Sequence, residues 1–155
     1  MTIRPATVND VPQMTSLIEA ERQRLAAWQP TMWRRAEDTA GQTNEWFSIL
    51  VAGEGVVALV SIEGTQINGF LIAFPQPSPP VYDPGLTYLI DDFCVAEDTL
   101  WPNVGAELLI EALALIKKKG AKQCLSISPV AHQDKAGVLS AAGLAPASTW
   151  WTTNL

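Results

Sequence analysis

Two adjacent carboxylates, Asp91 and Asp92, lie inside an otherwise apolar segment of the sequence. A carboxylate in such surroundings can act as a general base that takes a proton from a nucleophile. His132, the only histidine, is a third candidate base because its ordinary pKa lies close to neutral. The alternatives are aspartates that accept structural hydrogen bonds and a surface histidine. Since neighbouring residues of a regular strand face opposite sides of a sheet, we do not expect Asp91 and Asp92 to form a dyad.

The segment that follows, residues 93 to 113, reads FCVAEDTLWPNVGAELLIEAL and predicts a strand, a short loop and a helix. Free backbone N–H groups and the helix dipole make a helix N-terminus a binding site for anions such as a diphosphate. In that loop Gly105 would let a ligand approach the backbone, Asn103 can adopt the left-handed conformation that glycine favours, and Pro102 suits the first helical position. The sequence therefore predicts a phosphate site. The alternative is a glycine that only lets the helix pack close to the strand.

The elements that must position these residues follow from periodicity and turn chemistry. Alternating or β-branched apolar runs predict strands at 2–7, 86–96, 122–130 and 148–155 and a hairpin over 56–74. Helical spacing and stop signals predict helices at 9–27, 43–52, 105–119 and 134–143. The order β-α-α-β-β-β-α-β-α-β predicts a mixed α/β (α+β) sheet with helices on its faces.

Length, composition and charge limit the class of protein and its partners. The chain of 155 residues is most simply one domain, 1–155, and its 48% hydrophobic and 17% charged residues are typical of a globular protein. A formal charge of −6 argues against nucleic acid as a partner. No uninterrupted apolar run is long enough to predict a membrane span, and the N-terminus is not a signal peptide, so we expect no membrane and a cytoplasmic protein. One histidine and no CxxC pair predict no metal site.

The element order and the segments 93–110 and 131–144 resemble the GNAT superfamily of acyl-CoA-dependent N-acyltransferases over nearly the whole chain. The ungapped distance from Val95 to Gly105 equals that of the family's loop, [Q/R]-x-x-G-x-[G/A]. Leu100 replaces the family's arginine or glutamine, and Asn103 replaces the first glycine. In the second segment Leu139 stands where relatives often have a tyrosine that assists the leaving thiolate.

The resemblance implies a mostly antiparallel sheet of six to seven strands with helices on both faces, and acetyl-CoA as the cosubstrate. In relatives the pantetheine arm pairs with the open edge of the fourth strand, and an acidic residue at the Asp91 position acts as base. His132 stands at the position of an asparagine that contacts the pantetheine. The resemblance therefore predicts Asp91, Asp92 and His132 as catalytic residues and assigns the cosubstrate to Phe93, Cys94, Val95, Leu100, Trp101, Asn103, Val104, Gly105 and Ala106.

The implied activity is transfer of an acetyl group from acetyl-CoA to an amine, on a small molecule or a protein, by direct attack in a ternary complex. The amine acceptor is not identified by the sequence. A homodimer through the C-terminal strand region is common among relatives and is possible here. Leu100, Pro102 and Leu139 motivate an alternative, which is a non-catalytic acyl-CoA-binding or protein-interaction module on the same fold.

Overall fold

A computed structural model describes all 155 residues. The strands are β1 (Thr2–Pro5), β2 (Val57–Glu63), β3 (Gln66–Pro75), β4 (Thr87–Val95) and β5 (Gln123–Ser126). The α-helices are α1 (Val11–Trp28), α2 (Thr39–Ala52), α3 (Ala106–Lys118) and α4 (Gln133–Ala141). Short helical turns at Asp98–Leu100 and Trp101–Gly105 lie between β4 and α3.

The five strands form one mixed sheet in the order β1-β2-β3-β4-β5. The first four pair antiparallel, and β5 joins β4 in parallel after the crossover through α3. The predicted hairpin is present as β2 and β3, and its turn contains Gly64 with a positive φ of 62°. The mixed sheet is as expected, but it has five strands rather than six to seven.

The missing strand is the one predicted over 148–155. These residues are exposed, and no backbone hydrogen bond ties them to the sheet. Their β-branched and aromatic residues suit a strand, but a strand also needs a neighbour with which to exchange hydrogen bonds. The prediction of a terminal strand is therefore wrong for this structure, because residues 148–155 have the amino-acid composition of a strand but pair with no other strand.

Helices cover both faces of the sheet, as predicted. On one face, α1 and α2 place residues such as Met14 and Phe47 against Phe70 and Ile72. On the other face, α3 and α4 pack against a larger set of sheet residues, and Leu108 of α3 is fully buried there. Each helix contributes one apolar stripe, which is the expected way for a single sheet to bury both of its faces.

Helical structure is continuous from Asp98 to Lys118. By length and composition alone this segment could span a membrane. Its apolar stripe packs on the sheet, where Leu108, Leu109 and Ala112 are fully buried, as expected for a core helix.

Candidate active site

The adjacent carboxylates lie at an irregular point of β4. Ile72 pairs with Asp92 and Ala73 pairs with Ile90, so Asp91 is an extra residue, which makes a β-bulge. Pairing between β4 and β5 also ends here, at Ile90 with Ser126. A bulge re-aims side chains and interrupts strict alternation. The expectation that Asp91 and Asp92 face opposite sides rests on that alternation and so does not follow at a bulge, and the negative charge of Asp91 raises the pKa of Asp92.

Both carboxyl groups bind protons more tightly than an exposed aspartate. Burial raises the pKa of Asp92 to about 6, with a further increase from the charge of Asp91 and an opposing effect from Arg22 and Lys135. Burial also raises the pKa of Asp91, again against the charges of Arg22 and Lys135. An Arg22 guanidinium nitrogen lies 3.6 Å from the Asp92 carboxylate. A carboxyl with a pKa near neutral and a nearby cation has the properties of a general base.

The end of β4 leaves an open edge beside this bulge. Phe93 and Val95 pack on the α3 side, whereas Cys94 packs on the α1 side. Burial strongly raises the pKa of the Cys94 thiol, so this cysteine is a core residue and not a nucleophile. The Phe93 carbonyl accepts a hydrogen bond of 3.2 Å from the Lys135 ammonium, which occupies one position on the edge.

Residues 98 to 104, predicted as a loop, form helical turns instead, and these turns continue through Gly105 into α3. Trp101 is only 2% exposed, and its ring meets Phe93 edge-to-face with a centroid distance of 4.8 Å. The N–H of Trp101 bonds to the Asp98 carbonyl, and the N–H of Ala106 bonds to the Asn103 and Trp101 carbonyls. These donors are already used inside the helix, so in this conformation they do not form an open anion cradle.

Backbone angles give a different reason for the residue types in these turns. Gly105 has φ −62° and ψ −47°, which any residue can adopt. A Cβ on Gly105 would lie 2.5 Å from the Trp101 ring, so the glycine makes room for the indole. Asn103 does not take the left-handed conformation that its type suggested, since Asp38 is the only non-glycine residue with a positive φ. Of the remaining predicted residues here, Leu100 packs against the α3-side core, Val104 is buried in it, and Asn103 is exposed.

His132 lies immediately before α4 and contacts two other elements. Its Nε2 is 2.9 Å from a carboxylate oxygen of Glu21 on α1, and its ring lies 6.4 Å from that of Trp101. Arg24 binds the other Glu21 oxygen at 2.5 Å. Burial alone would raise the pKa of Glu21, but its bonds to His132 and Arg24 outweigh burial and lower that pKa. His132 Nδ1 is buried without a hydrogen-bond partner.

The fold thus brings Asp91, Asp92, Phe93, Trp101 and His132 together around the open end of β4. The structure adds three residues to this group that sequence reasoning missed, which are Glu21, Arg22 and Lys135. A signal existed for two of them. Glu21 lies at helical spacing between Ile18 and Leu25, and Lys135 lies three and four residues before Val138 and Leu139, so each is a charged residue on a buried helical stripe.

A second region of the site lies between α1 and the segment before α2. A cavity of about 390 Å³ is lined by side chains that include Gln23, Thr31, Arg34 and Arg35. Arg35 binds Glu19, Glu19 binds Arg22 at 3.0 Å, and Arg22 approaches Asp92. A chain of ion pairs therefore connects this cavity with the carboxylates on β4.

No protein-family model matches this sequence, and no curated protein sequence matches it. Solved structures do match. The BH1408 protein from Bacillus halodurans, solved as a tetramutant, superimposes with a TM-score of 0.84 over the full length of both chains at 19% identity. An aminoglycoside 6′-N-acetyltransferase from Acinetobacter haemolyticus has a TM-score of 0.71 at 12% identity and covers 100% of this chain and 99% of its own.

A structure from Clostridium acetobutylicum, described as a predicted acetyltransferase with acetyl-CoA, matches with a TM-score of 0.72 at 17% identity. The match covers 99% of this chain and 95% of that one. These identities are low, so the matches show a shared fold. This chain has the fold of the GNAT acetyltransferases.

Proposed function

We propose that this protein is an N-acyltransferase that moves an acetyl group from acetyl-CoA to an amine, either on a small molecule or on a protein, by direct attack in a ternary complex. One observation carries the proposal. The sheet opens between β4 and β5 at a bulge that carries two partly buried carboxylates, and the pKa of Asp92 is raised to about 6 there. Acid–base groups of perturbed pKa at an open edge are typical of a reaction site.

In this proposal the donor's pantetheine lies along the open edge of β4 at Phe93, Cys94 and Val95, where a backbone N–H polarises the thioester carbonyl. The diphosphate lies against the turns formed by Leu100, Trp101, Asn103, Val104, Gly105 and Ala106. Those turns must open for the diphosphate to bind. Their N–H groups are bonded within the helix, and the Trp101 indole fills the space next to Gly105. A π-helical turn at Trp101–Gly105 supports this requirement, since such turns are less stable than α-helix and recur at functional sites.

The proposed chemistry assigns the base to Asp92, with Asp91 beside it and His132 as a second titratable group. Asp92 takes the proton of the ammonium acceptor, the free amine attacks the thioester carbon, and the C–S bond breaks to release coenzyme A. Leu139, at the family's tyrosine position, is buried in the core and cannot protonate the thiolate. Because a thiolate is already a good leaving group, we expect the missing acid to slow the reaction without abolishing it.

Thiol release from acetyl-CoA over a panel of amines tests the proposal. We expect the wild-type protein to release coenzyme A with at least one amine, and Asp92→Asn to reduce kcat by roughly 10²–10⁴-fold, as for loss of a general base. Asp83→Asn, at an exposed position in the loop before β4, is the matched control and should keep full activity. Unchanged turnover in Asp92→Asn would remove this residue from the mechanism.

A second candidate function is a non-catalytic acyl-CoA-binding or interaction module. The packing of Trp101 into the opening and the bond from Lys135 to the Phe93 carbonyl favour it, because both fill space next to the donor edge. Under this alternative, isothermal titration would detect acyl-CoA binding while no amine supports thiol release. No binding and no thermal shift at millimolar acetyl-CoA would contradict both candidates.

The assembly and the compartment are separate proposals. The exposed C-terminal residues, with Trp150 at 76% and Trp151 at 91% exposure, are consistent with a homodimer that buries them. Light scattering on the full chain and on a chain ending at residue 147 would test this, because only the full chain should dimerise. A cytoplasmic location remains a prediction from the sequence.

A further inference from the structure

Lys135 is a buried amine at the acyl end of the proposed donor site. Its residue is only 5% exposed, although lysine is among the side chains least often buried. The ammonium nitrogen lies 3.2 Å from the Phe93 carbonyl, and 5.4 Å and 5.8 Å from the ring centroids of Phe93 and Trp101. The side chain thus ends on the edge of β4 that β5 has left free.

The surroundings of this amine do not resemble those of a structural ion pair. Lys135 forms no salt bridge, whereas the other buried charged side chains, Asp10 and Glu21, each have a cationic partner within 3 Å. Its only hydrogen bond is the one to the Phe93 carbonyl. Burial lowers the pKa of Lys135, and the charges of Glu21, Asp92 and Asp91 oppose that effect only in part. A larger fraction of the amine is therefore unprotonated than in an exposed lysine, which makes it a better nucleophile.

Space for a small group adjoins this amine. A cavity of about 90 Å³ is bordered by Lys135, Trp101, His132 and Asp98. One water molecule occupies about 30 Å³ in the liquid, so this cavity next to Lys135 has room for a two-carbon acyl group. The indole of Trp101 forms one wall and shields the position from bulk water.

We propose that Lys135 is a site of self-acylation, at which its Nζ accepts the acyl group of a thioester or an acyl phosphate bound at the β4 edge. For acetyl-CoA as the donor the inference rests on the proposed function. The neutral amine attacks the acyl carbon, an amide C–N bond forms, the C–S bond breaks, and the proton lost from the nitrogen reaches Asp92 or the departing thiolate. The products are N-acetyl-Lys135 and free coenzyme A, and no other reactant is needed.

Such an amide would be stable and would change the site. The acylated nitrogen loses its charge but keeps one N–H, which can still donate to the Phe93 carbonyl. The acyl group would fill the cavity next to Trp101 and His132. The modification would therefore occupy the position of the donor's acyl group and prevent further transfer.

The chain contains its own control for the experiment. Its other four lysines, Lys117, Lys118, Lys119 and Lys122, are all exposed and should react faster in any non-specific acetylation. The wild-type protein is incubated with acetyl-CoA or, separately, with acetyl phosphate, and the occupancy of each lysine is measured by peptide mass spectrometry. We expect the occupancy of Lys135 to exceed that of each exposed lysine by about tenfold or more with either donor, because a bound donor is held beside this amine and a larger fraction of it is unprotonated.

Matched variants sharpen the result. Lys135→Arg and Lys135→Met should remove the labelled peptide, whereas Lys122→Arg should leave the occupancy of Lys135 unchanged. Since the main readout is taken on the wild-type protein, a variant that folds poorly does not affect the conclusion. Prior acetylation to completion should also lower the later rate of coenzyme A release with an external amine.

The outcomes separate this inference from the proposed function. If coenzyme A is released with external amines while Lys135 stays unlabelled, the inference is wrong and the transferase proposal stands. If Lys135 is labelled from either donor but no external amine supports release, the inference stands and transfer to an external acceptor is wrong. Labelling that is confined to the four exposed lysines, or absent with both donors, overturns the inference.

Discussion

Two adjoining segments of this protein differ in how they affect the stability of the fold. They are the end of β4 at residues 91–95 and the helical turns at 98–105. The first keeps Asp91 and Asp92 partly buried beside an edge with free hydrogen-bonding positions, although burial disfavours their charged forms. The second places Trp101 in the core and uses its backbone donors within the helix. The first segment therefore carries unfavourable electrostatics, whereas the second supplies packing.

The two segments contribute to the free energy of unfolding with opposite sign. A sequence that served only the fold would be expected to have apolar residues in place of these partly buried carboxylates, since buried charges are costly. The carboxylates of β4 cost folding free energy, whereas the turns at 98–105 stabilise the fold through packing. Substitutions in the two segments should therefore change the free energy of unfolding in opposite directions.

The largest effect is expected from Trp101→Ala. Truncation of a buried aromatic side chain removes its contacts with Phe93 and leaves a cavity, so we expect a loss of about 3–5 kcal/mol in the free energy of unfolding. Urea denaturation followed by circular dichroism measures it. Trp151→Ala, at a position that is 91% exposed, should change stability by less than about 0.5 kcal/mol. Equal effects at the two positions would mean that Trp101 is not part of the core.

An intermediate effect is expected from Gly105→Ala. The backbone of Gly105 is already helical, so alanine alone would be favoured there by about 0.5–1 kcal/mol. The new Cβ would instead meet the Trp101 ring at 2.5 Å, and we expect a net loss of about 1–3 kcal/mol from overpacking.

Gly137→Ala is the matched control for this substitution. Gly137 lies inside α4 with nothing within 4 Å of the new Cβ, so we expect a gain of up to about 1 kcal/mol. Thermal melts of both variants measure the difference. A gain at both positions would show that the turns at 98–105 are loosely packed and free to open.

The smallest effect, of opposite sign, is expected from Asp92→Asn. Because the folded-state pKa is raised to about 6, the protonated carboxyl is favoured by the fold. Its contribution to stability is full below about pH 4, the pKa of an exposed aspartate, and is lost as the pH rises through 6. We expect Asp92→Asn to be about 1–2 kcal/mol more stable than wild type at pH 8 and to show no such gain at pH 4.

Asp10 gives the reverse pH dependence. Two hydrogen bonds of 2.7 Å from Arg4 hold the pKa of Asp10 down, at about 2. Its contribution is present above about pH 4 and is lost as the pH falls through 2. Asp10→Asn should therefore destabilise the protein at pH 7, and the difference from wild type should shrink towards pH 2. Denaturation at several pH values measures both aspartates, and parallel pH profiles for the two variants would contradict the contrast.

Much of the fold was accessible from local patterns. Period-2 alternation and Gly64 predicted the hairpin, and helical spacing predicted α1 and α4. The terminal strand was not predictable by the same means, because residues 148–155 have strand composition but find no partner in the sheet. Whether a segment forms a strand depends on a neighbouring strand with which it can exchange hydrogen bonds, and local sequence does not specify that neighbour.

In the candidate site, too, some features follow from local sequence and others arise only from tertiary contacts. The sequence by itself determined that Asp91 and Asp92 lie in a strand and that a helix follows Gly105, because residue type and spacing act over one or two turns. Only the tertiary structure decided that a bulge interrupts β4 at Asp91, that Gly105 accommodates an indole, and that Lys135 and Glu21 reach the same opening from α4 and α1. The physical reason is that burial and charge proximity arise between elements distant in the chain, and these two effects set the pKa values on which the proposed chemistry depends.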